Sequence, residues 1–294
     1  MYPKLFEIGP VPVYSYGLML GIAFLVGSHL LNRELIRKKI NPDFGVNITF
    51  ISLIGGIIGA KLFYILEEWN FRGLDILSSQ LKPDVLFSAA GLTFYGGLLT
   101  AIAGLIIFCR FKKIKVLDLF DSMAPIAALC YGIARIGCHL SGDGDYGIEV
   151  NGTFWEFIGY SYANGTVPTD PGVLVHPTPI YEFIASIIIF IYLWNRRAKI
   201  KFTGQLFYTY LILAGIERFL IEMIRLNPKV IFDLSQAQLI SIAFIVSGFI
   251  ALYVNKSKKK LPNTTESKLT LTNCGCIRRL NNSPKLNGFK PALL

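Results

Sequence analysis

Charge is what this chain has least of. Only 16% of its 294 residues are Asp, Glu, Lys or Arg, where soluble domains run near a quarter. With 53% of residues hydrophobic, that shortage excludes an ordinary soluble enzyme and a disordered chain. Histidine is rarer still. The three copies, His29, His139 and His176, have no metal-site spacing, although His139 and His176 fall near Cys138 and two aspartates. The five cysteines build no disulfide framework: Cys109, Cys130 and Cys138 lie in or beside apolar stretches, and Cys274 and Cys276 near the end, so their number is odd and their spacing irregular. No repeat of 20–50 residues is present. No basic segment precedes the first apolar run, which follows Pro3, Pro10 and Pro12, so a cleavable leader is not expected.

What is present points to a membrane. The chain holds 22 Phe, 14 Tyr and 27 Gly, and seven apolar stretches approach the ~20 residues that cross a bilayer as a helix. They fall near residues 14–32, 46–66, 89–109, 119–138, 179–195, 204–224 and 236–254. The expectation is an all-α, polytopic membrane protein with seven transmembrane helices. Orientation follows from the asymmetry of Lys and Arg between connections. Basic clusters follow the first span (Arg33, Arg37, Lys38, Lys39), the third (Arg110, Lys112, Lys113, Lys115), the fifth (Arg196, Arg197, Lys199, Lys201) and the seventh (Lys256, Lys258, Lys259, Lys260). The alternate connections are acidic: 67–88 has four acids and two bases, and 139–178 has five acids and no Lys or Arg. Every connection agrees on an outside N-terminus and a cytoplasmic C-terminus.

The formal charge of +10 is concentrated at one end, because residues 255–294 carry nine Lys/Arg and one Glu. The chain therefore divides into a membrane domain over 1–254 and a basic, disordered cytoplasmic tail over 255–294. That tail suits anionic lipid heads, and the rest of the chain gives no sign of nucleic-acid binding. Within the spans, Gly17 and Gly21, and Gly55, Gly56, Gly59 and Ala60, make small-residue faces of the kind that let helices approach in lipid.

Charges inside apolar spans cost at least about 2.5 kcal/mol each on insertion scales and need a partner, a cavity or a substrate. Arg135 lies one turn from the outer end of the fourth span. The sixth carries Glu217-Arg218-Phe-Leu-Ile-Glu222-Met-Ile-Arg225, where Arg218, Glu222 and Arg225 share one helical stripe. Two readings stand at this stage. The stripe is an ion-pair ladder that orders the bundle, or Arg135 and Arg218 converge on an outer cavity with too few acids to neutralise them and take an anion such as a phosphate. The outer loop from Leu140 to Gly147 contains Gly142, Asp143 and Asp145. It fails the EF-hand template, since positions 6 and 12 from Asp143 would be Ile148 and Phe154, and it reads as a turn-rich cap. Tyr95 precedes Gly96 and Gly97 at the outer start of the third span. Tyr16 begins the first.

Taken in order, these pieces resemble the prolipoprotein diacylglyceryl transferase family over residues 9–254. The matching segments are Tyr14-Ser-Tyr16-Gly17, Gly59-Ala-Lys61-Leu-Phe-Tyr64, Gly91-Leu-Thr-Phe-Tyr95-Gly96-Gly97-Leu98, Asp121-Ser-Met-Ala-Pro125 and Ala134-Arg135-Ile-Gly-Cys138. They continue with Gly142 to Gly147, His176-Pro-Thr-Pro-Ile-Tyr181-Glu182, Arg218 to Arg225 and Leu234-Ser-Gln-Ala-Gln238. The resemblance implies transfer of a diacylglyceryl group from phosphatidylglycerol to the lipobox cysteine of a lipoprotein precursor, at the outer face of the bacterial inner membrane. No cofactor or metal is implied. The implied catalytic group is Arg135, Arg218 and Glu222, and Tyr95, at the family's His position, and His139 join it as candidates. The implied substrate-binding group is Tyr16, Gly96, Gly97, Cys138, Asp143, Gly147, His176 and Arg225. The chain departs from the family's pattern at four places: Tyr95 replaces a His, Cys138 an Asn, Lys61 an Arg and Ala214 a Tyr. Tyr95 is a weaker base than His at neutral pH, and His139 is a candidate to take its place.

Two other classes fit the same composition: a lipid or anion transporter, and a relative that binds lipid or precursors without transferring. The first predicts paired broken helices in two halves, which the sequence lacks. A topology reporter fused after Lys260 is expected to read cytoplasmic, and an outer-face reading would overturn the orientation.

Overall fold

The computed structural model describes residues 1–9, 11–73 and 93–258. The acidic 74–88 part of the second connection, Gly91 and the start of the third expected span, and most of the basic tail with Cys274 and Cys276 lie outside the described residues.

The chain opens with a hairpin, β1 (Lys4–Ile8) against β2 (Val11–Tyr14). Seven long helices follow among the described residues: α1 (Ser15–Arg37), α2 (Asp43–Arg72), α3 (Phe94–Phe111), α4 (Val116–Ser141), α5 (Thr178–Arg196), α6 (Gln205–Glu222) and α7 (Gln236–Lys258). A second hairpin, β3 (Lys229–Ile231) and β4 (Leu234–Ser235), joins α6 to α7. Neither hairpin follows from the hydrophobic pattern, because each strand is five residues or shorter. Six of the helices are long and apolar enough to cross a membrane: α1 to α5 and α7. The remaining one, α6, is 18 residues long and carries Glu217, Arg218 and Glu222 within them, the residues the sequence singles out for chemistry. Residues 1–252 form one compact unit, and a second begins at Tyr253.

α4 is the organising helix and packs against α1, α5 and α6. Small residues allow the approach. A Cβ on Gly132 would stand 3.1 Å from the Ser186 side chain, and one on Gly137 would stand 3.2 Å from Tyr16 Cα. The Cys130 thiol donates across to the Ala23 carbonyl at 3.1 Å. One apolar core gathers Leu31, Leu35, Ile48, Leu105 and Leu119, and another gathers Ala124, Ile189, Leu193 and Leu206.

At the end away from the loop between α4 and α5, Asp121 is fully buried on α4. Its carboxylate accepts from the backbone N–H of Gly204 at 2.6 Å and of Phe207 at 2.9 Å. A helix start leaves its first N–H groups unpaired and carries a partial positive charge, so this acid caps α6 from a neighbouring helix. Gly204, at φ 92°, supplies the left-handed turn into it. Buried Glu34 does similar work between helices, binding Arg37 at 2.5 and 3.0 Å and Arg197 at 3.4 Å.

The α2 glycine face meets α3 in a seam, whereas a Cβ on Gly17 or Gly21 would touch nothing, so the close approach expected along α1 is not made there. A Cβ on Gly97 would stand 2.7 Å from the Gly56 carbonyl oxygen, and one on Gly96 would stand 2.8 Å from that of Gly59. Such contacts replace the hydrophobic drive that lipid does not provide. Gly97→Ala is expected to push two backbones apart and lower the thermal midpoint in detergent, by ~1–3 kcal/mol of overpacking. Gly56→Ala meets open space and is expected to leave the midpoint unchanged. Equal effects from the two variants would remove the seam from the account.

Candidate active site

One carboxylate gathers the site. Glu182, in the first turns of α5, has no exposed side-chain surface. It accepts from the Tyr131 hydroxyl at 2.7 Å and from Arg218 Nη1 at 2.8 Å. Arg135 Nε stands 3.2 Å and Arg225 Nη1 3.8 Å from its other oxygen. Three guanidinium groups from two helices and a loop therefore face one acid. The Arg135 guanidinium also lies 4.7 Å from the centre of the Tyr131 ring, a cation–π distance.

Two further acids complete the cluster. Asp145, on the loop between α4 and α5, pairs with both Arg135 and Arg225. Glu222, at the end of α6, pairs with Arg218 at 3.1 Å and accepts from Asn227 Nδ2 at 2.6 Å and Ser235 Oγ at 2.8 Å. The expectation of too few acids is thereby corrected: three carboxylates face three arginines. Arg225 also departs from the expected stripe. α6 ends at Glu222, and Arg225 lies beyond it, in a bridge with Gly147. It reaches the cluster because Met223 and Ile224 still donate to Leu220 and Ile221, continuing the winding for one turn.

The loop is pinned where it delivers Asp145. Gly147 N donates to His176 O and Ile148 N to Ile224 O, both at 2.9 Å, while Thr178 Oγ1 donates to Asp145 O at 2.5 Å. Gly147 is a close-approach position, since a Cβ there would stand 2.7 Å from Ile224 O. Burial alone would raise the Asp145 carboxyl, but Arg135 and Arg225 outweigh it and hold it below the ordinary carboxylate range. Asp143 goes the other way: burial, then the neighbouring Asp145 charge, pushes it up. Two acids in one loop are thus driven apart by their surroundings.

The remaining expected residues surround this cluster. Buried Cys138 has its sulfur 3.7 Å from Arg135 Nη1. Tyr16, on the first turn of α1, lies in the field of Cys138, Arg135, Asp143 and Asp145. Tyr95 lies in that of Arg218 and Glu222. His139 belongs to an aromatic group. Its Nδ1 is 2.8 Å from the Tyr162 hydroxyl, and its ring packs on Tyr160 and Tyr162, with Tyr146 stacked on Tyr162 at 5.1 Å. His176 contacts the Tyr181 hydroxyl at 3.1 Å, and burial lowers its basicity. Gly96 and Gly97 are buried in the α2–α3 seam. Cys138, Asp143 and Asp145 place ligand atoms within 4.8 Å of one another, as a metal site would among the described residues. Asp145 is already held by two guanidinium groups, whose charge opposes a divalent cation.

Glu182 and Tyr131 are the site residues that sequence reasoning missed. Glu182 closes the His176–Glu182 segment and is one of few acids in an apolar span, and that rarity was the available signal.

The family model described as prolipoprotein diacylglyceryl transferase matches residues 3–254. A phosphatidylglycerol–prolipoprotein diacylglyceryl transferase of Clostridium tetani is 31% identical over 264 residues, covering 88% of this chain and all of that protein. One from Leptospira interrogans is 31% identical over 237 residues, covering 74% of this chain and 72% of its own. Phosphatidylglycerol–prolipoprotein diacylglyceryl transferase 2 of Clostridium perfringens is 31% identical over 256 residues, covering 86% of this chain and 94% of its own.

Removing one partner of a buried ion pair costs ~3–5 kcal/mol. Glu182→Gln keeps an acceptor for Tyr131 but leaves three arginines against two acids, so the thermal midpoint in detergent is expected to fall sharply. Glu7→Gln, which breaks the exposed Lys4–Glu7 pair, is expected to be silent. An unchanged midpoint for Glu182→Gln would mean that the acid is not the hub.

Proposed function

The chain belongs to the prolipoprotein diacylglyceryl transferase family, and from that membership we propose that it moves the diacylglyceryl group of phosphatidylglycerol to the lipobox cysteine of lipoprotein precursors. It is a multi-pass membrane protein. In this reading it crosses the bacterial inner membrane seven times, with its N-terminus outside, and α6 as the seventh span. The cluster then opens to the outer leaflet, where phosphatidylglycerol and the precursor's signal peptide both arrive. Lipids and precursors are its partners, and nucleic acid is not.

The reaction is a displacement at carbon. The thiol gives up its proton, since the thiolate is the nucleophile. Sulfur attacks the glycerol carbon that carries the phosphate, a C–S bond forms, and the C–O bond breaks. The electron pair leaves with the glycerol phosphate, which takes the negative charge. Charge develops on that phosphate, so fixed cations facing it contribute most. The observation that carries the reading is unequal exposure within the arginine cluster. Arg225 keeps 6% of its side-chain surface, while Arg135 keeps 15% and Arg218 keeps 26%. Arg225 is spent on structure, and the other two are oriented by buried acids while still open to an anion.

The thiol's proton goes to a nearby base. We assign that role to His139, with Nδ1 held by the Tyr162 hydroxyl and Nε2 as the accepting atom. Tyr16, Cys138 and Asp143 then line the lipid head group, and Tyr95 orients it from the Arg218 side. Glu222 aims Arg218. Gly96, Gly97 and Gly147 serve by letting the surrounding backbones close, and His176 fixes the loop's return to α5.

Incubating membranes with lipid-labelled phosphatidylglycerol and a lipobox peptide tests the reading through the thioether-linked product. Arg135→Ala and Arg218→Ala are each expected to lower transfer by at least about 10²-fold while the protein still accumulates. Arg→Lys should rescue poorly, because an ammonium cannot reproduce the planar fork. Full activity in either Ala variant removes that residue from the mechanism. His139→Ala is expected to cost about 10²–10⁴ in rate at neutral pH, with a smaller loss at high pH, where the thiol ionises unaided. A loss that does not change with pH would place His139 in loop ordering through Tyr162 instead.

A further inference from the structure

In the β3–β4 hairpin, β4 is partly buried at Leu234 and Ser235, while β3 and the turn leave apolar residues bare. Val230, Ile231 and Phe232 are consecutive and exposed, Phe232 to 91%. In a two-stranded ribbon alternate side chains point to opposite faces, so no single protein surface covers all three. The tip is also strained. Phe232 and Asp233 have φ of 51° and 56°, the primed-turn conformation that Asn and Gly adopt readily and a bulky ring does not. A strained, bare aromatic at a hairpin tip points to a contact that repays it.

The surroundings identify that contact. Along α6 and past its end runs a stripe of exposed apolar residues, Ile216, Leu220 and Met223, spaced by four and three, followed by Leu226. On a helix of a multi-pass membrane protein such a stripe faces lipid. It continues to Leu226, and after Asn227 and Pro228 the hairpin opens with exposed Lys229, a residue type whose long stem can lie along apolar surface while its ammonium reaches phosphates. The base of the hairpin is fastened to the site, because Ser235 Oγ donates to Glu222 Oε1 at 2.8 Å and Ser235 N to Gln238 Oε1 at 2.9 Å.

We propose that the Lys229–Ser235 hairpin is a membrane-inserted wing whose tip, Val230 to Phe232, lies in the head-group and upper acyl layer of the leaflet that faces the arginine cluster. Its occupant is bilayer lipid. The inference holds whatever reaction the cluster performs. Through Ser235 and Glu222 it couples the lipid surface to the residue that aims Arg218.

The test is depth-dependent fluorescence in phosphatidylglycerol-containing vesicles. Phe232→Trp adds one indole to the native Trp69, Trp155 and Trp194, and the added emission is obtained by difference from the parent protein. The expected signal is blue-shifted, lost mostly to lipids brominated high on the acyl chain, less to those brominated deep, and protected from aqueous iodide. Val230→Trp, in the strand rather than the turn, covers the case in which position 232 rejects the larger ring. A thermal midpoint equal to the parent's confirms that each variant folds. Emission at the water-exposed wavelength, quenched by iodide and indifferent to bromolipids at both positions, would overturn the proposal. So would burial from both quenchers, which would mean that protein covers the tip.

Discussion

A guanidinium cannot stay charged in an apolar bundle without a counter-charge, and in this protein one buried carboxylate answers for three of them. Glu182 brings Arg135 from α4, Arg218 from α6 and Arg225 from beyond α6 to one point. Asp145 and Glu222 close the cluster from the loop and the helix end. The elements that carry these side chains are thereby held at one end of the bundle. A site meant for an anion is a poor place for cations alone, because they repel one another before any substrate arrives. Buried acids remove that repulsion and fix the direction of each fork, leaving the exposed surface of Arg135 and Arg218 for a ligand. Under the proposed function, ladder and anion site, posed as alternatives by the sequence, are the same object viewed with and without its substrate.

The opposite end is built on the same rule with a different purpose. Asp121 satisfies the first N–H groups of α6, and Glu34 binds Arg37 and Arg197. These contacts hold α1 to α5 and α4 to α6, which fixes the depth and rotation of the helices that carry Arg135 and Arg218. Between the two charged ends the helices touch through glycine and alanine, as in the α2–α3 seam. Packing there is backbone on backbone and tolerates little movement. The charged ends set which residues meet, and the glycine seams set how closely the helices approach.

Much of this was legible in the residues, for physical reasons that differ by element. Long apolar runs announce helices because nothing else satisfies the backbone in lipid, so α1 to α5 and α7 fall where hydropathy places them. Arg135, Arg218, Glu222 and Arg225 stand out because charge is rare there. The glycine pair entered as a substrate-binding expectation, and the structure sets its backbone against α2. Glu182 was hidden by its company: it follows Pro179, Ile180 and Tyr181 at a span's start, where an acid near a helix N-terminus excites no suspicion. The balance of acids was missed because Asp145 belongs to a loop, and loop residues have no periodicity to place them. The two hairpins are too short to leave a pattern, and the tip at Phe232 contradicts the usual Asn or Gly of such turns.

The departures from the family's pattern fall unevenly on this architecture. The hub of Tyr131, Arg135, Glu182, Arg218, Glu222 and Arg225 is held by ion pairs and the Tyr131 hydrogen bond. The substitutions at Tyr95 and Cys138 lie on its rim, one in the field of Arg218 and Glu222, the other against Arg135 and beside Asp143. A change in the hub leaves a charge buried without a partner, at a cost of several kcal/mol, so drift there is checked by folding before it is checked by activity. A change on the rim exchanges one neutral group for another and leaves the ion pairs standing. In the proposed reading, stabilising the leaving phosphate is therefore the part of the chemistry that this fold alters only at a cost in stability. Orienting the thiol and accepting its proton is the part it can rearrange, and that is where Tyr95, Cys138 and His139 stand.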